Sequence, residues 1–179
     1  PYRYLGYSED SDRVILGKWG GKGKGTHISS FHIDDLSLEG RVSVDETFRR
    51  VSLVAANADL SKILWLGMKD EFENERLFMN GLQLARGQHM WHVAQNEDLS
   101  RVFSLSTGRK EFIMQVNNQV VFQSKAYKDV SFTRVNGDVT RGVIGLVRKY
   151  GKMQAVSFTY EPQGSCTAEL SKPFDKLVN

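Results

Sequence analysis

Arg109 to Lys125 reads RKEFIMQVNNQVVFQSK, and this stretch decides the fold class. Phe112, Met114 and Val116 alternate with Glu111, Ile113 and Gln115, the period-two rhythm of a strand. A second apolar run, Val120 to Phe122, follows directly. Asparagine tolerates positive φ, so Asn117–Asn118 between the runs reads as a two-residue hairpin turn. The same grammar extends outward. Val156, Phe158 and Tyr160 alternate with Ala155, Ser157 and Thr159, and residues 141–148, 62–69 and 49–56 are β-branched or aromatic runs of strand length. Shorter candidates fall at 13–16, 28–33, 36–44, 75–80, 90–94, 102–106 and 130–135. Asn80–Gly81, Thr107–Gly108, Asn136-Gly137-Asp138 and Tyr150–Gly151 punctuate them as turns. Helical periodicity is absent; Asp70 to Arg76 offers at most one turn. Many short strands between turn signals imply an all-β antiparallel sandwich or barrel. We read no internal repeat and no break in composition. The expectation is one sandwich domain over residues 1–161, a Gly/Lys-rich loop at 17–25, and a tail at 162–179 where the strand rhythm is lost.

Composition narrows the class further. The chain has 179 residues, 24 Lys and Arg against 21 Asp and Glu, and 40% apolar side chains. That is too apolar and too balanced in charge for a disordered segment. No run is long and apolar enough for a membrane-spanning helix, so no span is expected. One cysteine, Cys166, excludes an intramolecular disulfide and a multi-cysteine zinc site. A net charge of +3 is small, and neither a cationic face lined with aromatics nor a known nucleic-acid motif is evident, so no specific nucleic-acid partner is expected. The cationic loop at 17–25 beside Trp19 reads as a surface loop, with an anionic glycan, a lipid headgroup or a nucleic-acid phosphate as its candidate contacts. No basic-then-apolar leader follows Pro1, which fits a cytoplasmic or leaderless secreted product. Nothing in the pattern sets the oligomeric state.

Two segments carry a family likeness. Gly87-Gln88-His89-Met90-Trp91-His92-Val93 precedes the 111–122 hairpin, and Gly142-Val143-Ile144-Gly145-Leu146 precedes Val156 to Tyr160. Together they resemble the concanavalin A-like lectin and glucanase superfamily, in its laminin-G and galectin form. Asn118 stands where that pattern usually has Gly. The resemblance implies a jelly roll of two curved antiparallel sheets. It also implies a non-catalytic, lectin-like module that binds a glycan or glycoprotein on a concave sheet face. Ile63 to Lys69 lacks a galectin's His-x-Asn-x-Arg series, so the likeness does not extend to a galactoside site. Some members of the superfamily hold calcium. Asp34–Asp35, Asn57 with Asp59, and Asn136 with Asp138 offer oxygens, but form no calcium series, and no cofactor is assigned.

The candidate contact residues follow. An exposed indole stacks on the flat C–H face of a sugar while polar neighbours bond its hydroxyls. Trp91 and His92, with Arg76, Asn74, Glu71, Glu73 and Glu75, are the expected set. Trp65, inside Ile63-Leu64-Trp65-Leu66, reads as core, and Trp19, in the Gly-rich loop, as exposed. On a strand, Glu71, Glu73 and Glu75 would share a face, an arrangement resembling the acidic series of family-16 glucanases. That likeness makes Glu71 a nucleophile and Glu75 an acid/base, with Glu73 tuning them. Residues i and i+4 lie about 13 Å apart on a strand, whereas a retaining pair needs carboxyls about 5–5.5 Å apart. The competing reading is a solvated acidic loop. A third reading is a structural or protein-interaction sandwich. GGKGKGT at 20–26 fits no phosphate-loop frame, and His89 and His92, three apart, make no metal pair on a regular strand.

Overall fold

The computed structural model describes residues 2–7, 13–19, 25–57, 61–69, 75–108, 111–149 and 151–175. Sixteen strands occur among them. The first eight are β1 (Arg3–Tyr7), β2 (Arg13–Lys18), β3 (Thr26–His32), β4 (Leu38–Val44), β5 (Arg50–Ala56), β6 (Ile63–Met68), β7 (Glu75–Met79) and β8 (Leu82–Gly87). The second eight are β9 (His89–Gln95), β10 (Val102–Thr107), β11 (Phe112–Val116), β12 (Gln119–Ser124), β13 (Tyr127–Val135), β14 (Arg141–Arg148), β15 (Met153–Tyr160) and β16 (Cys166–Leu170). They form four separate four-stranded sheets, each a run of consecutive strands in chain order. Every pairing within them is antiparallel.

This corrects the two-sheet expectation. A jelly roll sends the chain back and forth between two stacked sheets, so its strand order is shuffled. Here no strand leaves its meander. The concanavalin A-like, galectin-like sandwich is therefore the wrong architecture, although the individual strands were legible. The Asn117–Asn118 hairpin forms, with both residues at positive φ (48° and 69°). β14 and β15 have the bounds that alternation implies. Three strands lie outside the expected runs: β1, β8 and β16. The last lies in the supposed tail and pairs with β15 from Val156–Leu170 to Tyr160–Cys166, with Phe174 bridging back to Met153.

The chain divides into two compact units, Pro1–Gly87 and Gln88–Asn179. In the first, β1 and β5 abut. Its core is Ile15, Ile28, Phe48, Val51, Ile63, Trp65 and Phe78. Trp65 stacks on Phe78 at 4.3 Å, and Phe48 meets both edge-on. Trp65 is buried as expected, its indole N–H donating to the Asn80 carbonyl at 2.7 Å. Trp19 is not the exposed ring expected. It is half-buried against this core, donates to the Arg49 carbonyl at 3.1 Å, and lies under the Arg3 guanidinium. In the second unit β9 abuts β13 and β12 abuts β16. Phe103, Leu105, Met114, Val116, Ile144, Leu146, Val156 and Phe158 fill that core, with Phe103 stacked on Phe158 at 5.1 Å.

A sequence repeat also emerges, against the expectation of none. Asn57-Ala58-Asp59-Leu60-Ser61-Lys62, Asn96-Glu97-Asp98-Leu99-Ser100-Arg101 and Asn136-Gly137-Asp138-Val139-Thr140-Arg141 are 39 and 40 residues apart. Each joins the first and second strands of its sheet. In each, the Asn Oδ1 accepts the backbone N–H five residues on, at 2.7, 2.8 and 2.9 Å. The Asn Nδ2 donates to the Ser or Thr hydroxyl four residues on, at 3.0, 2.9 and 2.8 Å. A motif at this period marks repeated four-stranded units.

Candidate functional site

The expected site residues belong to both units, and four of the seven are among the described residues. Glu71, Glu73 and Asn74 lie outside the described residues. Glu75 and Arg76 are consecutive on β7 in the first unit, and Trp91 and His92 are on β9 in the second. Glu75 is 6% exposed. Arg76 is half-buried and engaged: its Nη1 pairs with Glu46 Oε1, and Lys69 Nζ reaches Glu46 Oε2 at 3.0 Å. That ion cluster pins the β4–β5 connection onto β7. Three of the residues considered for calcium close turns. Asp35 Oδ1 accepts the Ser37 N–H at 2.9 Å, which holds its carboxyl below the usual range, and Asn57 and Asn136 brace their loops. Among the described residues no group of three His, Cys, Asp or Glu is placed to hold a metal. Burial pushes the half-buried Cys166 thiol up, away from nucleophilic character.

Trp91 and His92 are brought together by an irregularity that alternation does not foresee. Leu105 pairs with His92 and Ser106 with Met90, so Trp91 is the extra residue of a β-bulge. The bulge cancels the flip between neighbours. His92 lies 6.1 Å from Phe103 and Trp91 6.4 Å from Phe112, and both phenylalanines belong to the second core. His89, two residues earlier, meets the Trp91 ring edge-on at 5.1 Å. Trp91 remains 41% exposed at the rim, while His92 is half-buried and burial lowers its pKa.

The antiparallel order places other groups at the same end of this unit. β9 begins where β10 ends and β11 begins, and β12 returns to that end before β13 starts. Lys125 and Lys128 flank the β12–β13 connection, and Arg148, Lys149 and Lys152 form the β14–β15 turn. Tyr127 pairs with Arg148, and the Lys149 N–H donates to the Ala126 carbonyl at 3.2 Å. The two cationic segments are therefore neighbours in space, about one strand spacing (~4.8 Å) apart. The four lysines are exposed. Lys172 flanks the Met153–Phe174 bridge beside Lys152. Three described carboxylates share this end: Glu111, which accepts from Gln123, Asp129, which accepts the Val130 N–H, and Asp175. The opposite end carries Arg101, Arg134 and Arg141 with Glu97, Asp98, Asp138 and Glu161. The strand-start end is thus the cationic one. Sequence reading passed over this cluster because its lysines sit in two runs some twenty residues apart. RKYGK at 148–152, a cation-rich turn, was the available signal.

Four sequential four-stranded meanders are the build of β-propeller blades. The solved structures agree. The chain is similar to the β-propeller domain of the Trilobed protease from Pyrococcus furiosus, with 11% identity and a TM-score of 0.50 over 98% of this chain and 58% of that one. It is also similar to a eukaryotic initiation factor, with 12% identity and a TM-score of 0.52 over 94% of this chain and 42% of that one. The chain thus spans a little over half the length of the first and less than half of the second. At such identities the likeness concerns fold alone, and it replaces the lectin-type sandwich with propeller-type blades. No protein-family model and no curated protein match the sequence.

Proposed function

We propose that this chain is a non-catalytic binding module whose contact surface is the strand-start end of the second unit, centred on Trp91. The observation that carries the reading is the bulge in β9. It holds a large aromatic ring 41% exposed at the edge of a well-packed core, braced by His89 and Phe112. An exposed, preorganised indole adds contact area at little conformational cost. The glycan reading loses its concave sheet with the sandwich. A sugar face and a nucleobase both stack on indole, so the groups around Trp91 decide the ligand class. No helix among the described residues is long and apolar enough to cross a membrane.

Ligand panels read by tryptophan emission test this. Neutral and sulfated glycans, oligonucleotides and acidic peptides are titrated into the wild type and into Trp91→Ala. The expected result is one class that perturbs the emission and binds at least tenfold more weakly to Trp91→Ala, with Trp91→Phe in between. Turnover of a β-glucan that disappears in Glu75→Gln would instead make the chain an enzyme and end this reading.

A further inference from the structure

We infer that the Trp91 surface binds single-stranded nucleic acid, reading its phosphodiester backbone with lysines and stacking one base on the indole. The inference rests on the binding-module reading and names its ligand class. Lys125, Lys128, Arg148, Lys149 and Lys152 converge on one end of the second unit, and β9, which carries Trp91 and abuts β13, begins at that same end. Arg148 also sits close enough to Tyr127 to counter the rise that burial imposes on its hydroxyl. Lysines are flexible point charges, suited to a backbone with one phosphate per nucleotide rather than to a bidentate base edge. A base from an unpaired strand is free to stack, whereas duplex bases present no open face. Cations beside an exposed aromatic are therefore the pairing that single strands call for.

Other polyanions use only half of this surface. An acidic peptide would engage the lysines and leave Trp91 idle. An anionic membrane would need apolar groups to insert. Among the described residues two other large apolar side chains are exposed in this unit: Val120 lies at the opposite end, beside the Asn117–Asn118 turn, which leaves Leu170, at the close of β16, as the one such group toward this end.

The test uses fluorescein-labelled oligouridylate and the whole chain, with anisotropy measured across a salt series. Wild type is expected to bind, with affinity falling steeply as salt rises. Lys149→Glu with Lys152→Glu, and Lys125→Glu with Lys128→Glu, should each weaken binding more than tenfold and shallow the salt slope. The Lys→Gln pairs, which add no carboxylate near Asp129 or Asp175, should do so less. Trp91→Ala should weaken binding roughly tenfold at each salt concentration and leave the slope unchanged, the signature of stacking. Arg101→Glu with Arg141→Glu, at the opposite end, is the control and should weaken binding far less; circular dichroism confirms the fold of each variant. No binding at low salt overturns the inference, as does equal loss in the control pair. Tighter binding to poly-glutamate, or to vesicles of phosphatidylserine in phosphatidylcholine, also overturns it. If a glycan or peptide binds through Trp91 while oligouridylate does not, this inference falls and the binding-module reading stands. If nothing binds through Trp91, both fall.

Discussion

Asn96 shows how one side chain sets the shape of a turn. It is 8% exposed, its Oδ1 takes the Arg101 N–H and its Nδ2 gives to Ser100 Oγ, so both ends of the amide are used. The fourth residue of the turn must then take positive φ, and Leu99 and Val139 do so at 53° and 54°. Glycine would be the easier choice there. Both side chains are buried, however, and burying a Leu or Val is worth about 1.5–3 kcal/mol, which offsets a strain of about 1–2 kcal/mol. Asn117 closes the β11–β12 turn of the same sheet, accepting the Val102 N–H at 2.8 Å and donating to the Ser100 carbonyl at 2.9 Å; Asn80 repeats this with Ile63 and Ser61. Removing the buried Asn96 amide strands the part-buried Arg101 N–H, while exposed Ser100 keeps Asp98, and water replaces the exposed Asn136 amide. Asn96→Ala is therefore expected to cost about 2–3 kcal/mol in chemical denaturation and the exposed Asn136→Ala about 1 kcal/mol or less. Equal losses at the two positions would show that burial is not what makes the brace matter.

Elements were far more legible than their assembly. Alternation located β11 and β15, where one face meets a core, and apolar or β-branched runs located β12 and β14. It missed β1, where Tyr4 and Tyr7 are 61% and 65% exposed and no alternation is kept, and β16, whose core-facing residues Cys166 and Ala168 are too small to stand out as an apolar run. Assembly was misread because strand rhythm is the same in a sandwich and in a propeller blade; only the Asn-led repeat separates them. The bulge at Trp91 was likewise invisible, since an extra residue breaks the rule used to find strands. It has a measurable consequence at His92. Burial lowers this histidine's pKa below its unfolded value, so the folded state favours the neutral ring. On acidification the unfolded chain takes up the proton first, and stability present above about pH 6.5 declines as pH falls through that value. Thermal denaturation should show a Tm that drops from about pH 7.5 to 5.5, and a shallower drop in His92→Gln. An unchanged slope in that variant would assign the acid sensitivity to other groups. Gly67 sets a second local limit. A Cβ there would lie 2.7 Å from the Phe48 ring, so Gly67→Ala must displace a fully buried aromatic and is expected to cost about 1–3 kcal/mol.

At the scale of the whole molecule the chain holds two cores, each built around stacked aromatics. The first depends on Trp65, whose ring lies on Phe78, meets Phe48 edge-on, and spends its N–H on the Asn80 carbonyl that closes β7 into β8. The second depends on Phe158, stacked on Phe103 and packed over the edge of Gly142, where a Cβ would come within 2.3 Å of the ring. Both rings are almost wholly buried, so truncating either leaves a cavity the surroundings cannot fill. Trp65→Ala and Phe158→Ala should each cost about 3–5 kcal/mol. Where the loss appears is the more telling result. Native-state hydrogen exchange reports opening strand by strand. Trp65→Ala is expected to weaken protection mainly across β1 to β8, and Phe158→Ala mainly across β9 to β16. The Trp91 surface belongs to the second set. Phe158→Ala should therefore lower the affinity of that surface for its ligand near the unfolding transition, where Trp65→Ala acts less. If the two substitutions strip protection from the same strands, the two cores form one energetic unit, and changes in either would reach the Trp91 surface equally.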